Sequence, residues 1–380
     1  MKDAPLSGLK VIELARILAG PWAGQTLSDL GADVIKIESP DGDDSRTWGP
    51  PFVVTDAGET SAYFHACNRG KRSIALDFRN QQDLETTRTL LSEADVVIEN
   101  FKVGGLEKYR LDYASVSGFN PRVVYCSITG FGQTGPYGAR HGYDFIVQGM
   151  SGIMDLTGDP AGEPQKMGVA FADIFAGLYA VIGIQAALAL RARTGRGQHI
   201  DIALFDCMTG VLANQAMNFL ISGASPRRLG NVHPNIAPYQ TFPVSDGYIT
   251  IACGNDGQFG RLCAILGVPE LSGDPRFVSN AERVGHREEL SELLSQKTGS
   301  FTRAGLLEAL SAGSVPAGPI NTVADVFADP QFIARNMRID AGGIPGLRTP
   351  ITFSNSELVL DKRAPDLGQH ADEIASELER

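Results

Sequence analysis

Asp173 is the residue whose type and place could do chemistry. In Ala172-Asp173-Ile174-Phe175-Ala176-Gly177-Leu178-Tyr179-Ala180, one carboxylate stands at the head of a long apolar segment. From Ile174 to Leu190 the only strongly polar side chain is Gln185. Arg191, Arg193, Thr194 and Gly195 then supply a basic last turn and a glycine stop. A helix apolar on nearly every side is expected to be buried, which puts Asp173 at the edge of a core. The helix N-terminus favours the ionised carboxylate and desolvation opposes it. A poorly hydrated carboxylate that keeps its charge is what a carboxylate nucleophile requires. Asp is equally a preferred N-cap, and the segment alone leaves both roles open. The apolar run of about 17 residues rises about 26 Å, short of a roughly 30 Å hydrocarbon core, which argues against a membrane span.

The elements around this helix alternate. Short apolar runs at Leu9–Ala15, Asp33–Glu38, Ser73–Phe78, Asp95–Phe101, Arg122–Thr129 and Gln198–Leu204 read as buried strands. Helical segments separate them, including Pro21–Leu30 and Gln81–Ala94. This pattern predicts an α/β fold with a Rossmann-like, doubly wound parallel sheet in residues 1–222. Gly, Pro, Asn and Arg then mark a linker over 223–238. A hairpin around Ser245-Asp246-Gly247 followed by helices predicts a second, smaller α+β domain over 239–325. Residues 326–380, with a strand-like Thr349–Ser354 and an amphipathic terminal helix, are expected to return to the large domain.

The chain has 380 residues, is 43% hydrophobic and carries a formal charge of -11. That suffices for a sizeable core and argues against nucleic acid or an anionic membrane surface as partner. Five scattered cysteines without a CxxC pair read as reduced thiols of a cytoplasmic protein. The first residues lack the apolar run of a secretory signal, and the six histidines show no metal spacing.

Ligands of open parallel sheets sit beyond the carboxyl ends of the strands. The turn after the first strand, Arg16-Ile17-Leu18-Ala19-Gly20-Pro21-Trp22-Ala23-Gly24, is not GxGxxG, and no GxxxxGK[ST] occurs. Basic residues recur near strand ends instead: Arg16, Arg69, Lys71, Arg72, Lys102 and Lys108. They suit a phosphate-bearing polyanion or an ordinary solvated rim.

Several blocks in order carry a resemblance. LKVIELARILAGPWAGQTLSDLGADVIKIE, NRGKRSIALDF, DVVIENF, YCSITGFGQTGP, GYD, FADIFAG, TGRGQHIDIAL, VPAGPIN and LGQHADEI together resemble the family III CoA-transferases, the CaiB/BaiF group. DDSRTWGPPF, VHPNIAPYQTF and ACGNDGQF look most like its succinyl-CoA:dicarboxylate branch, which acts on glutarate or hydroxymethylglutarate. The resemblance implies an interlocked homodimer and a CoA thioester as substrate, with no tightly bound cofactor and no metal. Asp173 falls on the family's catalytic aspartate, which passes through an aspartyl anhydride and an aspartyl-CoA thioester. Tyr143 matches a residue lining the acyl site, with Asp144 beside it. Gly254, Asn255 and Gly257 correspond to a glycine loop that covers these intermediates in relatives, where backbone N–H groups stabilise an oxyanion. Arg16, Ile17, Lys71, Arg72, Asn100, Phe101 and Lys108 are the expected CoA contacts. Ser39 stands where an arginine often follows the second strand.

The resemblance also covers α-methylacyl-CoA racemases, which need a two-base pair. Here His141-Gly142-Tyr143-Asp144 puts a tyrosine in the histidine slot, and an ordinary tyrosine titrates near 10. A non-catalytic CoA-thioester-binding protein would keep the basic residues without needing Asp173. A dicarboxylate acceptor calls for a cation at its distal end, and Arg46 and His233 are the expected candidates.

Overall fold

The computed structural model describes residues 3–55 and 58–379. The chain divides into two compact units: one of residues 1–154, 166–224 and 330–380, the other of residues 155–165 and 225–329.

The larger unit is built on six parallel strands: β1 (Lys10–Glu13), β2 (Asp33–Glu38), β3 (Arg72–Ala75), β4 (Val96–Glu99), β5 (Val124–Thr129) and β6 (Gln198–Ala203). Their spatial order is 3-2-1-4-5-6. The apolar runs become strands because both faces of this sheet are covered. Val11 and Ala15 point to a core shared with helix α1 (Ala19–Asp29) and the long helix Phe171–Thr194. Ile12 and Leu14 point to the opposite core, with Leu84, Leu90 and Leu91 of the Gln81–Ser92 helix and Ile374 of the C-terminal helix. Alternate residues therefore serve opposite layers, the mark of a doubly wound sheet. The order of strand addition reverses at β1 and β4, which run parallel side by side, and this opens a crevice beyond their carboxyl ends.

The long helix lies close against α1. A Cβ at Gly177 would meet the Ala19 carbonyl oxygen at 2.8 Å, so glycine is what lets the backbones approach. Ala172, Ala176, Ala180, Ile184 and Ala187 form its buried face. The expectation of burial on every side is corrected here. Tyr179 and Ile182 are 42% and 62% exposed, because one helix can bury only one stripe against one layer.

The smaller unit has its own core, formed by Phe242, Ile249, Phe259, Leu262, Phe277 and neighbours. Its antiparallel sheet pairs Tyr239–Val244 with Gly247–Ala252, and the latter with Ala317–Pro319. Residues expected as a free linker pack into this unit. The fully buried Arg283 donates to the Ala237 and Phe277 carbonyls and to Asp256 at 2.7–2.9 Å. Residues 155–165, expected in the large domain, also belong here. The segment Thr349–Ser354, expected as a strand, is irregular, and the hairpin of its region is Arg338–Ala341 with Ile344–Leu347.

Candidate active site

The carboxyl ends of β1 and β4 are sewn together. The Arg16 N–H donates to Asn100 Oδ1 at 2.9 Å, and Asn100 Nδ2 returns a bond to the Arg16 carbonyl at 2.7 Å. Beyond this seam lies a cavity of about 380 Å³, with Arg16, Ile17, Phe101, Arg140, Tyr143 and Asp173 in its lining. The crevice where the strand order reverses thus contains the carboxylate singled out from the sequence.

Asp173 lies in the first turn of the long helix, whose N-cap is Ala170. The capping role is therefore not its own. Asp144 does that work instead, its Oδ1 accepting the Ala172 N–H at 2.8 Å. The other Asp144 oxygen takes Gln148 Nε2 at 2.8 Å, and Gln148 Oε1 accepts the Met167 N–H at 2.9 Å. A buried glutamine thereby ties Asp144 to the segment leading into the helix. The Asp173 carboxylate accepts no hydrogen bond from the described residues. Desolvation, with the like charge of Asp144 second, pushes its pKa up to about 7. Burial and the neighbouring carboxylate thus poise the acid near neutrality, with no described donor on its oxygens.

Tyr143 is 67% exposed and precedes the Asp144–Met150 helix. Its segment is held by a close crossing of backbones. A Cβ at Gly142 would sit 2.4 Å from the Gly130 Cα, just past the end of β5.

The expected CoA contacts divide into two groups. Arg16, Ile17, Asn100 and Phe101 line the cavity. Lys108 stands over the Tyr109 ring on an open groove beside it, and Lys102 and Val103 line both hollows. Lys71 and Arg72 are corrections. Lys71 has no exposed side-chain surface and spends its ammonium on Glu13, Asn68 and the Pro21 carbonyl. Arg72 opens β3 at the amino edge of the sheet, where it binds Asp33, Glu373 and Glu377. Arg69 is likewise taken, by Asp29. Arg16 keeps an exposed ion pair to Asp44 at 3.1 Å, so four of the six basic residues read from the sequence as a rim are paired within the chain.

The two candidates for the distal carboxylate also have other engagements. Arg46 is buried, forks onto both Glu38 oxygens at 2.7 and 2.8 Å, donates to the Pro365 carbonyl and stacks on Phe64. Three of its five N–H donors and its charge are thus spent inside the fold. His233 belongs to the smaller unit, where its Nδ1 accepts the Asn235 N–H at 3.1 Å. Desolvation and then Arg287 lower its pKa, leaving a neutral ring at pH 7 rather than a cation. Gly254, Asn255 and Gly257 also lie in the smaller unit. Asn255 caps the Asp256–Ile265 helix and Gly254 N–H donates to Gln258 Oε1 at 2.7 Å. The loop is thus a helix N-terminus, whose first N–H groups have no intrahelical acceptor.

Sequence reasoning missed Arg140 and set His141 aside as a base, yet both line the cavity. Arg140 stacks on Tyr137 at 4.0 Å and is exposed. Its signal was available as a cation immediately before the His141-Gly142-Tyr143 segment. Nothing in that neighbourhood, however, announces which way the side chain turns.

A parallel sheet in the 3-2-1-4-5-6 order, with a desolvated aspartate in the crevice at its strand ends, defines an α/β fold with a cavity where proteins of this class bind their ligands. The chain belongs to CoA-transferase family III, whose model matches residues 6–371. It is 55% identical to a succinate–glutarate CoA-transferase of Agrobacterium fabrum, over 100% of this chain and 96% of that one. It is 39% identical to the human succinyl-CoA:glutarate CoA-transferase, covering 99% of this chain and 86% of the relative. The crystal structure of a CaiB/BaiF family protein from Brucella suis superposes with a TM-score of 0.90 at 66% identity, over 100% of both chains.

Proposed function

We propose that this transferase moves CoA from succinyl-CoA to a dicarboxylate, glutarate first among them, with Asp173 as the covalent carrier. The observation that carries this is the Asp173 carboxylate, free of hydrogen bonds from the described residues in a cavity lined by the β1 and β4 ends. The two relatives above are named for succinate and glutarate and for succinyl-CoA and glutarate.

Asp173 attacks the thioester carbonyl and expels CoA thiolate, giving a mixed anhydride. The thiolate attacks the aspartyl carbonyl, releases succinate and leaves an aspartyl-CoA thioester. The acceptor carboxylate attacks that thioester, the thiolate leaves again, and it then takes the acceptor acyl group from the new anhydride. Asp173 is regenerated with no net oxidation. Each step exchanges an acyl-oxygen for an acyl-sulfur bond or the reverse, so the pocket's task is to exclude water and to hold the reactants in line. In the smaller unit, Asn255 and Gly257 offer N–H groups of a helix N-terminus suited to an oxyanion, the role the family resemblance gives this loop, while the Gly254 N–H is engaged by Gln258. Arg16, Asn100, Phe101 and Lys108 are assigned to CoA. We assign the distal carboxylate of the acceptor to Arg140, in place of Arg46 and His233.

The defining experiment is an acceptor screen with succinyl-CoA as donor, followed by mass of the new acyl-CoA. Transfer to glutarate well above acetate is expected, and hydrolysis without transfer to any acid would end the reading. Arg140→Ala should raise the KM for glutarate at least about tenfold while leaving that for a monocarboxylate within about twofold. Equal effects on both acids would remove Arg140 from the distal site.

A pH profile tests the nucleophile separately. The ionised form attacks, so kcat/KM for succinyl-CoA should climb about tenfold per pH unit below a bend near 7 and level off above it. Asp144→Asn keeps an acceptor for the Ala172 N–H and removes the like charge. The bend should then move to lower pH. A bend that stays put would assign it to another group.

The assembly is read as the family's interlocked homodimer. In its support, the long helix leaves Leu178, Tyr179 and Ile182 exposed, and Leu220 and Ile221 of the Ala213–Ser222 helix are 68% and 81% exposed. Side chains of this size gain about 1.5–3 kcal/mol each on full burial. Five buried, unpaired cysteines fit a reducing, cytoplasmic setting.

A further inference from the structure

The turn after β1 has no glycine fingerprint, yet it adopts a backbone that would ordinarily call for glycine. Ile17 has φ 72°, a left-handed conformation that is an outlier for a β-branched residue. The backbone polar groups around it are held from several sides. Lys36 Nζ donates to the Ala15 carbonyl at 2.7 Å, and Asn100 holds both the N–H and the carbonyl of Arg16. The Ile17 N–H donates to both oxygens of Asp43, at 3.1 and 3.2 Å, while the Cys67 thiol donates to the Ile17 carbonyl at 3.5 Å.

Asp43 is itself locked. It is 1% exposed, its Oδ1 accepts the Ser45 N–H and hydroxyl, and its Oδ2 lies 3.0 Å from Lys36 Nζ. Lys36 also pairs with Glu13, which pairs in turn with Lys71. Despite desolvation, Lys36 and Ser45 hold the Asp43 pKa down at about 2, so the carboxylate is charged throughout the working range.

We propose that Asp43 is a positioning residue for the acyl-CoA substrate. Its buried charge holds Ile17 in the left-handed conformation, and this sets the edge that Arg16 and Ile17 present to the cavity. The inference builds on the transferase reading, since it assigns that edge to CoA. Asp43→Asn keeps the side chain's shape but removes the charge and replaces one oxygen by an NH₂ group. That group faces the Ser45 N–H and one leg of the shared Ile17 N–H bond at Oδ1, or the Lys36 ammonium and the other leg at Oδ2. All of these neighbours are donors, so either orientation breaks a contact and leaves the Ile17 N–H a single neutral acceptor. Glycine at position 17 would adopt the same backbone without the penalty.

The test is a double-mutant cycle read by calorimetric binding of free coenzyme A and by steady-state kinetics. Asp43→Asn alone should weaken coenzyme A binding about tenfold, and raise the KM for succinyl-CoA as much, with kcat within about threefold and the glutarate KM unmoved. In an Ile17→Gly background the same change should cost less than about threefold. Asp43→Glu, which keeps the charge but displaces it by a methylene, serves the same cycle should the asparagine variant not fold. Equal losses in both backgrounds, or a loss confined to kcat, would overturn the proposal. Wild-type protein that binds no coenzyme A would sink the transferase reading and this inference together, whereas binding without coupling sinks the inference alone.

Discussion

Asp173→Asn should lose CoA transfer by about 10⁴-fold or more while becoming more stable to heat at pH 8. The first effect follows from the proposed mechanism, in which the Asp173 carboxylate forms the anhydride and the thioester, and knock-outs of such groups fall in this range. The substituted amide is neutral and similar in shape to the carboxylate, so the pocket should survive. Incubation of the wild type with succinyl-CoA and hydroxylamine should place a hydroxamate on Asp173, and the variant should show none. A variant retaining a tenth of the activity would be incompatible with a covalent carrier at this position.

The second effect follows from linkage. The folded-state pKa of Asp173 is raised from 3.8 to about 7, with desolvation the main cause. Between those values the folded chain binds more protons than the unfolded one, so this group's contribution to stability falls as pH rises through that window. Above it the charged, poorly solvated carboxylate is a standing cost, set here at about 1–2 kcal/mol after discounting for partial access to water. The amide removes that cost. The gain in melting temperature should be present at pH 8 and fade as pH falls toward 4, where the wild-type acid is protonated in the folded state and has begun to protonate in the unfolded one. A gain independent of pH would point to packing rather than charge.

Lys36→Met should cost about 3–5 kcal/mol of stability, because it strips the partner from buried charges. Lys36 has no exposed side-chain surface and lies 3.0 Å from both Glu13 Oε1 and Asp43 Oδ2, and 2.7 Å from the Ala15 carbonyl. Desolvation alone would lower its pKa, yet Glu13, Asp43 and Glu38 together raise it above the ordinary lysine value. Lys71 can still neutralise Glu13 after the change, but Asp43 loses its charged partner, keeping only neutral donors from Ile17 and Ser45, and the Ala15 carbonyl loses the ammonium. Urea unfolding at pH 7 measures this directly, and a loss under about 1 kcal/mol would show the network to be dispensable. Methionine keeps most of the volume, so a large loss cannot be assigned to a cavity. The same network gives the fold an acid limit. The Asp43 contribution is complete above its unfolded-state pKa near 3.8 and disappears as pH falls through about 2.

Much of the molecule was legible in the sequence because local patterns carried it. Buried parallel strands must be apolar on both faces, and the runs at Lys10–Glu13, Asp33–Glu38 and Val96–Glu99 leave little else for the chain to do. The head of an uninterrupted apolar helix located Asp173, and ordered motif blocks identified the family. The fate of the cations was not legible. Arg72 meets Glu373 and Glu377, Arg46 meets Glu38 and the Pro365 carbonyl, and Lys71 meets Glu13. Each is a charge near a strand end in the sequence, and only long-range packing decides whether its partner is a ligand, a carboxylate or water. The same holds for the ionisation of Asp173 and for the exposed stripe of its helix. By itself the sequence determined the strands, the carboxylate and the family, since periodicity and residue order are local properties. Tertiary structure alone decided which charges face the cavity and at what pKa, since desolvation and pairing depend on neighbours far away along the chain.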